Sequence, residues 1–143
     1  MLRKAIAGYF KALNRRDLRK FMSAWQDDGV FIYPGEIPAS GTFNGKSAVG
    51  GWFRNFFDQF PSIKFDVKDI CVHSLFSFIG WKFVAAVHWN IQVTNRSGRT
   101  SQNNGVTVIS MTGLSMILGL EVVMAKNFIF DLSENCKRDW GAA

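Results

Sequence analysis

The chain has 143 residues, 48% of them hydrophobic and 15% aromatic, with 17 Lys and Arg against 11 Asp and Glu for a net charge of +6. This length implies one domain, residues 1–143, that buries well over half of its unfolded surface, and the apolar share excludes intrinsic disorder. It also leaves more large apolar side chains than such a core takes, so some are expected at a cavity or an oligomer interface.

The charge is uneven: Arg3, Lys4, Lys11, Arg15, Arg16, Arg19 and Lys20 stand against Asp17 alone in the first twenty residues, and the remainder is neutral. These cations interleave with an apolar stripe and no nucleic-acid motif accompanies them, so they read as the solvated face of two helices, with no nucleic-acid or membrane partner expected. Cys71 and Cys136 have no CxxC or Cys/His neighbourhood that would suggest zinc, and they suit a reduced cytoplasm. The Asn95-Arg96-Ser97 sequon lacks a secretory signal and reads as chance, and the basic N-terminus reads as an uncleaved part of the domain.

In chain order, Leu2, Ile6, Tyr9, Phe10 and Leu13 fall on one side of a 3.6-residue helix, and Leu18, Phe21, Met22 and Trp25 do the same in a second run. Val30-Phe31-Ile32-Tyr33 has strand composition. Pro34 to Gly45, with two prolines and three glycines, reads as a loop able to close over a site. The third helix is the cleanest: Val49, Trp52, Phe53, Phe56, Phe57 and Phe60 follow i, i+3, i+4, i+7, i+8, i+11, with Ser47 placed to cap the start and Pro61 to end it.

After it, the alternation Phe65, Val67 then Ile70, Val72 slips by one at Lys68-Asp69, as a bulged strand would. Leu75 to Lys82 reads as a hairpin connection. From Val84 to Val93, Val87, Trp89, Ile91 and Val93 take one face and Ala86, His88, Asn90 and Gln92 the other. Asn95 to Arg99 is a turn, Ser101 to Ser110 a strand, and Leu120 to Asp131 the last long strand. Val106 to Ala125 carries one charge, Glu121, yet its Thr, Ser and Gly residues and β-branched positions favour two buried strands joined near Leu118-Gly119 over a membrane helix. The domain core is expected over about residues 2–131, with 132–143 a polar tail in which Trp140 can dock.

The order YFxALNxxDLxxF from Tyr9, then Asp27-Asp28-Gly29-Val30, Tyr33-Pro34-Gly35, Ser40 to Gly45, an aromatic helix, Asn103-Asn104-Gly105-Val106 and Asn127 to Asp131 resembles the nuclear-transport-factor-2-like superfamily, within it the SnoaL-like polyketide-cyclase and ketosteroid-isomerase-like branches. The resemblance implies an α+β cone: three helices on a curved, mainly antiparallel sheet, cystatin-like.

In the ketosteroid-isomerase branch an aspartate base moves the proton, helped by a tyrosine and a protonated aspartic acid that donate hydrogen bonds to the developing oxyanion. By resemblance the tyrosine falls on Tyr9, the base on Tyr33 and the third group near Thr107, on the strand after the Asn-Gly turn, so the base is replaced by a phenol. In the polyketide-cyclase branch the acid/base position lies near Asn127, an amide that orients a carbonyl but exchanges no proton near neutral pH. Asp131, further along the same face, is the remaining carboxylate candidate there. Catalytic candidates are therefore Tyr9, Asn127 and Asp131.

The expected apolar pocket is walled by Trp25, Tyr33, Trp52, Phe56 and Trp89. Glu36 is a free candidate base in the loop, while His88, with His73 one of the two imidazoles, lies on the polar face of its strand and reads as exposed or interfacial. No metal cluster, phosphate loop or dinucleotide fingerprint appears, so no cofactor is expected. Two functions compete: a cofactor-free isomerase or cyclase acting on a small apolar carbonyl compound, and a non-catalytic ligand-binding or dimerising module. A homodimer with His88, Asn90 and Gln92 on its outer face is expected, because an open sheet in so apolar a chain leaves a face and edges to cover.

Overall fold

The computed structural model describes residues 2–77, 80–112 and 118–121. Three helices, α1 (Leu2–Asn14), α2 (Leu18–Ser23) and α3 (Lys46–Gln59), accompany strands β1 (Val30–Tyr33), β2 (Gly41–Asn44), β3 (Ser62–Ser77), β4 (Gly80–Thr94), β5 (Thr100–Thr112) and β6 (Leu118–Glu121). The strands form one sheet in the order β2-β1-β6-β5-β4-β3. Every pairing is antiparallel except β1 with β6. The helices pack on one face of the sheet, which is the α+β arrangement of three helices on a curved, open sheet.

The periodic segments fold as their spacing dictates. Ile6, Phe10 and Leu13 of α1 are buried, and so are Val49, Trp52, Phe53, Phe56 and Phe57 of α3. Along β4 the side chains alternate, with Ala85, Val87, Trp89, Ile91 and Val93 buried and His88, Asn90 and Gln92 exposed. The register of β3 against β4 shifts between Val67, opposite Trp89, and Asp69, opposite His88. Lys68 is thus the extra residue of a bulge, and the bulge increases the local twist and bends β3.

Several local expectations are corrected. The second helix ends at Ser23, so Trp25 lies beyond it, though only 4% exposed. The Gly/Pro stretch contains strand β2, with Phe31 opposite Phe43 in a hairpin. Ser47 does not cap α3: the N-cap is Gly45, at φ 87, with no side-chain cap bond. Its backbone N–H donates to the Gly29 carbonyl at 2.8 Å, and Lys46 N–H to the Asp27 carbonyl at 3.0 Å. The chain must turn left-handed there to leave β2, which only glycine does without strain. Asn104-Gly105 is not a turn but mid-strand in β5, with Gly105 facing Trp89. Leu118 and Gly119 likewise belong to β6, opposite Met111 and Ser110, and the connection lies before them.

Two side chains tie the helical layer to the sheet. Asn14, at the end of α1, bonds the main chain of Phe65 on the outermost strand β3. Arg16, held at φ 58 in the turn after α1, donates Nη1 to the Phe60 carbonyl at 2.7 Å and Nη2 to the Phe57 carbonyl at 2.6 Å. Its guanidinium also lies 5.0 Å from the centre of the Phe57 ring. Arg16 is therefore not part of a solvated face alone: it caps the negative end of α3, where a cation is favoured.

Candidate functional site

The aromatic residues of β1 and α3 lie on the inward stripe of their element, and Trp25, just beyond α2, converges with them. Phe31 is the hub, with ring centres 4.7 Å from Trp52, 5.2 Å from Phe53 and 6.3 Å from Trp25. Tyr33 lies 5.2 Å from Trp52, which in turn stacks on Phe56 at 5.4 Å and 20°. Edge-to-face and offset pairs at these separations each contribute about 0.5–1.5 kcal/mol beyond area burial. Trp52 also donates Nε1–H to the Ala39 carbonyl at 2.9 Å. That bond pins the loop between β1 and β2 onto α3, with Ser40 Oγ donating to the Pro34 carbonyl inside the loop.

Four of the expected pocket residues, Trp25, Tyr33, Trp52 and Phe56, are thereby brought together, all 5% exposed or less. Trp89 belongs to the same core cluster with neighbours of its own. Its ring meets Phe65 at 5.2 Å, Phe65 meets Phe10 at 5.4 Å, and its Nε1–H donates to Thr107 Oγ1 at 2.8 Å across β4 and β5. Gly105, its cross-strand neighbour, makes room for the indole: a Cβ built there would come within 2.6 Å of the ring. Thr107, the position that the resemblance gives to a protonated acid, is thus the acceptor for a core tryptophan.

Tyr9 is half-buried and lines a cleft of about 440 Å³ between α1 and α2, together with Ala5, Gly8, Ala12, Lys20, Ser23 and Ala24. Burial raises its phenol pKa above the ordinary 10.0, so at neutral pH it keeps its proton and can donate a hydrogen bond. Lys20 reaches the cleft because Asp17 caps α2, its Oδ1 accepting the Lys20 backbone N–H at 3.0 Å. Ser23 Oγ donates to the Lys20 carbonyl at 2.7 Å. Sequence reading missed Lys20 and Ser23 as site residues. The available signal was the run of small residues, with Gly8 inside a helix at a cost of about 0.5–1 kcal/mol relative to Ala.

The other candidates lie elsewhere. Glu36 is exposed in the loop after β1, and His73 is exposed on β3. His88 stands on the outer sheet face with Nδ1 4.0 Å from Asp69 Oδ2. Asn127 and Asp131 lie outside the described residues, as do Trp140 and Cys136. Among the described residues no cluster of His, Cys, Asp and Glu could hold a metal ion, and no helix is long and apolar enough to cross a membrane.

The fold recurs in solved structures at low identity. Aln2 from a Streptomyces species is 12% identical, with a TM-score of 0.67 over 92% of this chain and 91% of its own. A protein with a cystatin-like fold from Caulobacter vibrioides gives a TM-score of 0.68 at 12% identity over 95% of both chains. TerC, co-crystallised with polyporic acid, gives 0.64 at 16% identity over 92% of this chain and 96% of that one. No curated protein matches the sequence. The family model described as a SnoaL-like domain matches residues 6–113, from the core face of α1 to just past the end of β5, and the chain belongs to that family.

Proposed function

We propose that the chain binds a small apolar molecule and does not carry out proton abstraction by the ketosteroid-isomerase route. One observation carries the reading: Tyr33, where the resemblance places the base, is a phenol 1% exposed between the rings of Phe31 and Trp52. A base must reach the proton it takes and have a pKa near the working pH. An enclosed phenol offers neither. Trp25, Tyr33, Trp52, Phe56 and Trp89 are committed to one another or to core neighbours, so on this reading they give the site rigidity, and the ligand seats in the Tyr9 cleft. A ligand in a related fold, polyporic acid with TerC, supports binding as the shared property. Asn127 and Asp131, outside the described residues, remain the other candidates for chemistry.

The test pairs binding with turnover. Native mass spectrometry of the purified chain should show a small apolar compound retained, or tryptophan fluorescence should report binding of an added one. Isomerisation of a Δ5-ketosteroid should be undetectable. Robust turnover by the unmodified chain would mean that Glu36, Asp131 or another group serves as base, and would end this reading.

A second reading, a module that dimerises through its sheet, has its own support. Val84, Ala86, Val106 and Val108 lie half-exposed on the sheet face turned away from the helices, beside exposed Asn90, Gln92, Gln102 and Asn104. A second copy fits this face, because each carboxamide both donates and accepts and can pair with its own kind about a two-fold axis.

A further inference from the structure

The reading of the Tyr9 cleft as the ligand seat, on which this inference rests, leaves the class of ligand open, and three observations narrow it. The first is the lining charge. Among the described residues, Lys20 is the cleft's single charged residue and no carboxylate lines it. The described ion pairs, Lys68 with Asp66 and His88 with Asp69, do not involve Lys20. The nearby acid, Asp17, is engaged with the α2 backbone.

The second is the surrounding field. Lys4 and Lys11 are exposed on α1, Arg15 in the turn just beyond its end, and Arg19 on α2. Neither helix contains a carboxylate. Like charges gathered about a cleft with apolar walls raise the local concentration of anions.

The third is the shape of the wall. Ala5, Ala12 and Ala24 present only methyl groups, and Gly8 presents nothing: a Cβ built there meets no atom within 4 Å. The space is apolar, with a donor in place: Tyr9 keeps its proton, whereas the Ser23 hydroxyl already donates its own to the Lys20 carbonyl.

We propose that the α1–α2 cleft selects an amphiphilic monocarboxylate, whose apolar body lies against Ala5, Gly8, Ala12 and Ala24 and whose carboxylate is held by the Lys20 ammonium and the Tyr9 hydroxyl. Tyr9 is half-buried and Lys20 exposed, and charge-assisted hydrogen bonds to this pair favour an ionised headgroup over a neutral one of similar size.

Octanoate and octanol share an apolar chain and differ in the headgroup, so calorimetric titration of the full chain with each, at low salt, tests the proposal. Octanoate should bind about tenfold tighter than octanol, the size of one charge-assisted contact. Lys20→Met should bring the two to equality, and Tyr9→Phe should weaken octanoate several-fold. Gly8→Leu, which fills open space, should abolish binding of both while the melting temperature holds or rises. Equal affinity of octanoate and octanol in the unmodified chain overturns the carboxylate preference and leaves the apolar seat standing. Octanoate binding that survives Gly8→Leu, or that heparin displaces from that variant, assigns recognition to the helix cations and removes the cleft as the seat. Binding of neither probe overturns the inference, while a neutral aromatic compound still retained on native mass spectrometry would keep the broader reading alive.

Discussion

The side-chain amide of Asn14 pairs with the main chain of Phe65 as a neighbouring strand would: Nδ2 donates to the Phe65 carbonyl at 2.9 Å, and the Phe65 N–H donates to Oδ1 at 2.6 Å. β3 is an outermost strand, so one residue of helix α1 satisfies both polar groups at that point of its edge. An unpaired edge is a template for pairing with another chain. Asn14→Ala should cost about 0.5–1.5 kcal/mol by urea denaturation, the net worth of a hydrogen bond whose freed groups water can reach, and Asn14→Leu should also increase aggregation. No change in the denaturation midpoint would show that the pair contributes only orientation.

The Trp89–Thr107 bond is the second stability test. Thr107→Val keeps the shape but leaves a buried indole N–H without its acceptor, and should cost about 1–3 kcal/mol. Gly105→Ala should be at least as costly, because the new Cβ falls inside the ring's van der Waals envelope and the indole must leave Thr107 to avoid it. Near-ultraviolet circular dichroism should change in both variants. A neutral Gly105→Ala would mean that the strand shifts without cost.

Tyr9 gives a pH signature. Burial favours its neutral form and raises the pKa from 10.0, so both folded and unfolded chains hold the proton below pH 10. Above it the unfolded phenol ionises first, the folded state then binds more protons, and stability falls as pH rises through the folded pKa. Tyr9→Phe should remove this part of the alkaline loss, read as a flatter urea midpoint from about pH 9 to 11. An unchanged slope in the variant would assign the alkaline loss to other groups.

Periodicity makes the helical stripes, the alternation of β4 and the slip at Lys68 legible in the sequence, because burial repeats with the geometry of each element, while strand β1 is legible from its composition. Glycine is the point of failure, since it signals a turn, a left-handed cap and a close approach alike. Asn104-Gly105 has the composition of a turn, yet Gly105 accommodates Trp89; Gly45, not Ser47, begins α3. β2 is hidden because its four residues are mostly exposed and leave no alternation to read. For the site, Tyr9 is legible through the family resemblance, whereas Lys20 and Ser23 are not: they join it only through the packing of α2 on α1. That Trp52 and Trp89 spend their N–H groups inside the fold is a distance measurement, beyond the reach of composition.

The outer sheet face makes the oligomer testable. We expect a homodimer at micromolar concentration, and Val106→Lys should shift it to monomer in sedimentation velocity, because an uncompensated ammonium would replace an apolar contact in each copy. A chain that sediments as a monomer before any substitution would remove this reading.

The place of β1 in the sheet has a consequence for how the chain reaches its fold. The aromatic hub at Phe31 draws its partners from nearby in sequence, and β1 can close its hairpin with β2 as soon as Phe43 is made. β3, β4 and β5 likewise zip as successive hairpins. Among the described residues the two halves of the sheet join through β6, where Phe31 pairs with Leu120 in parallel. A nascent chain leaving the ribosome therefore carries β1 with one edge open until β6 has been synthesised, and the joining of β1 to β6 is a long-range, entropically slow closure. Its vulnerability is one of timing: slowing translation after β5 should lower the yield of folded chain without altering the stability of the molecules that complete it.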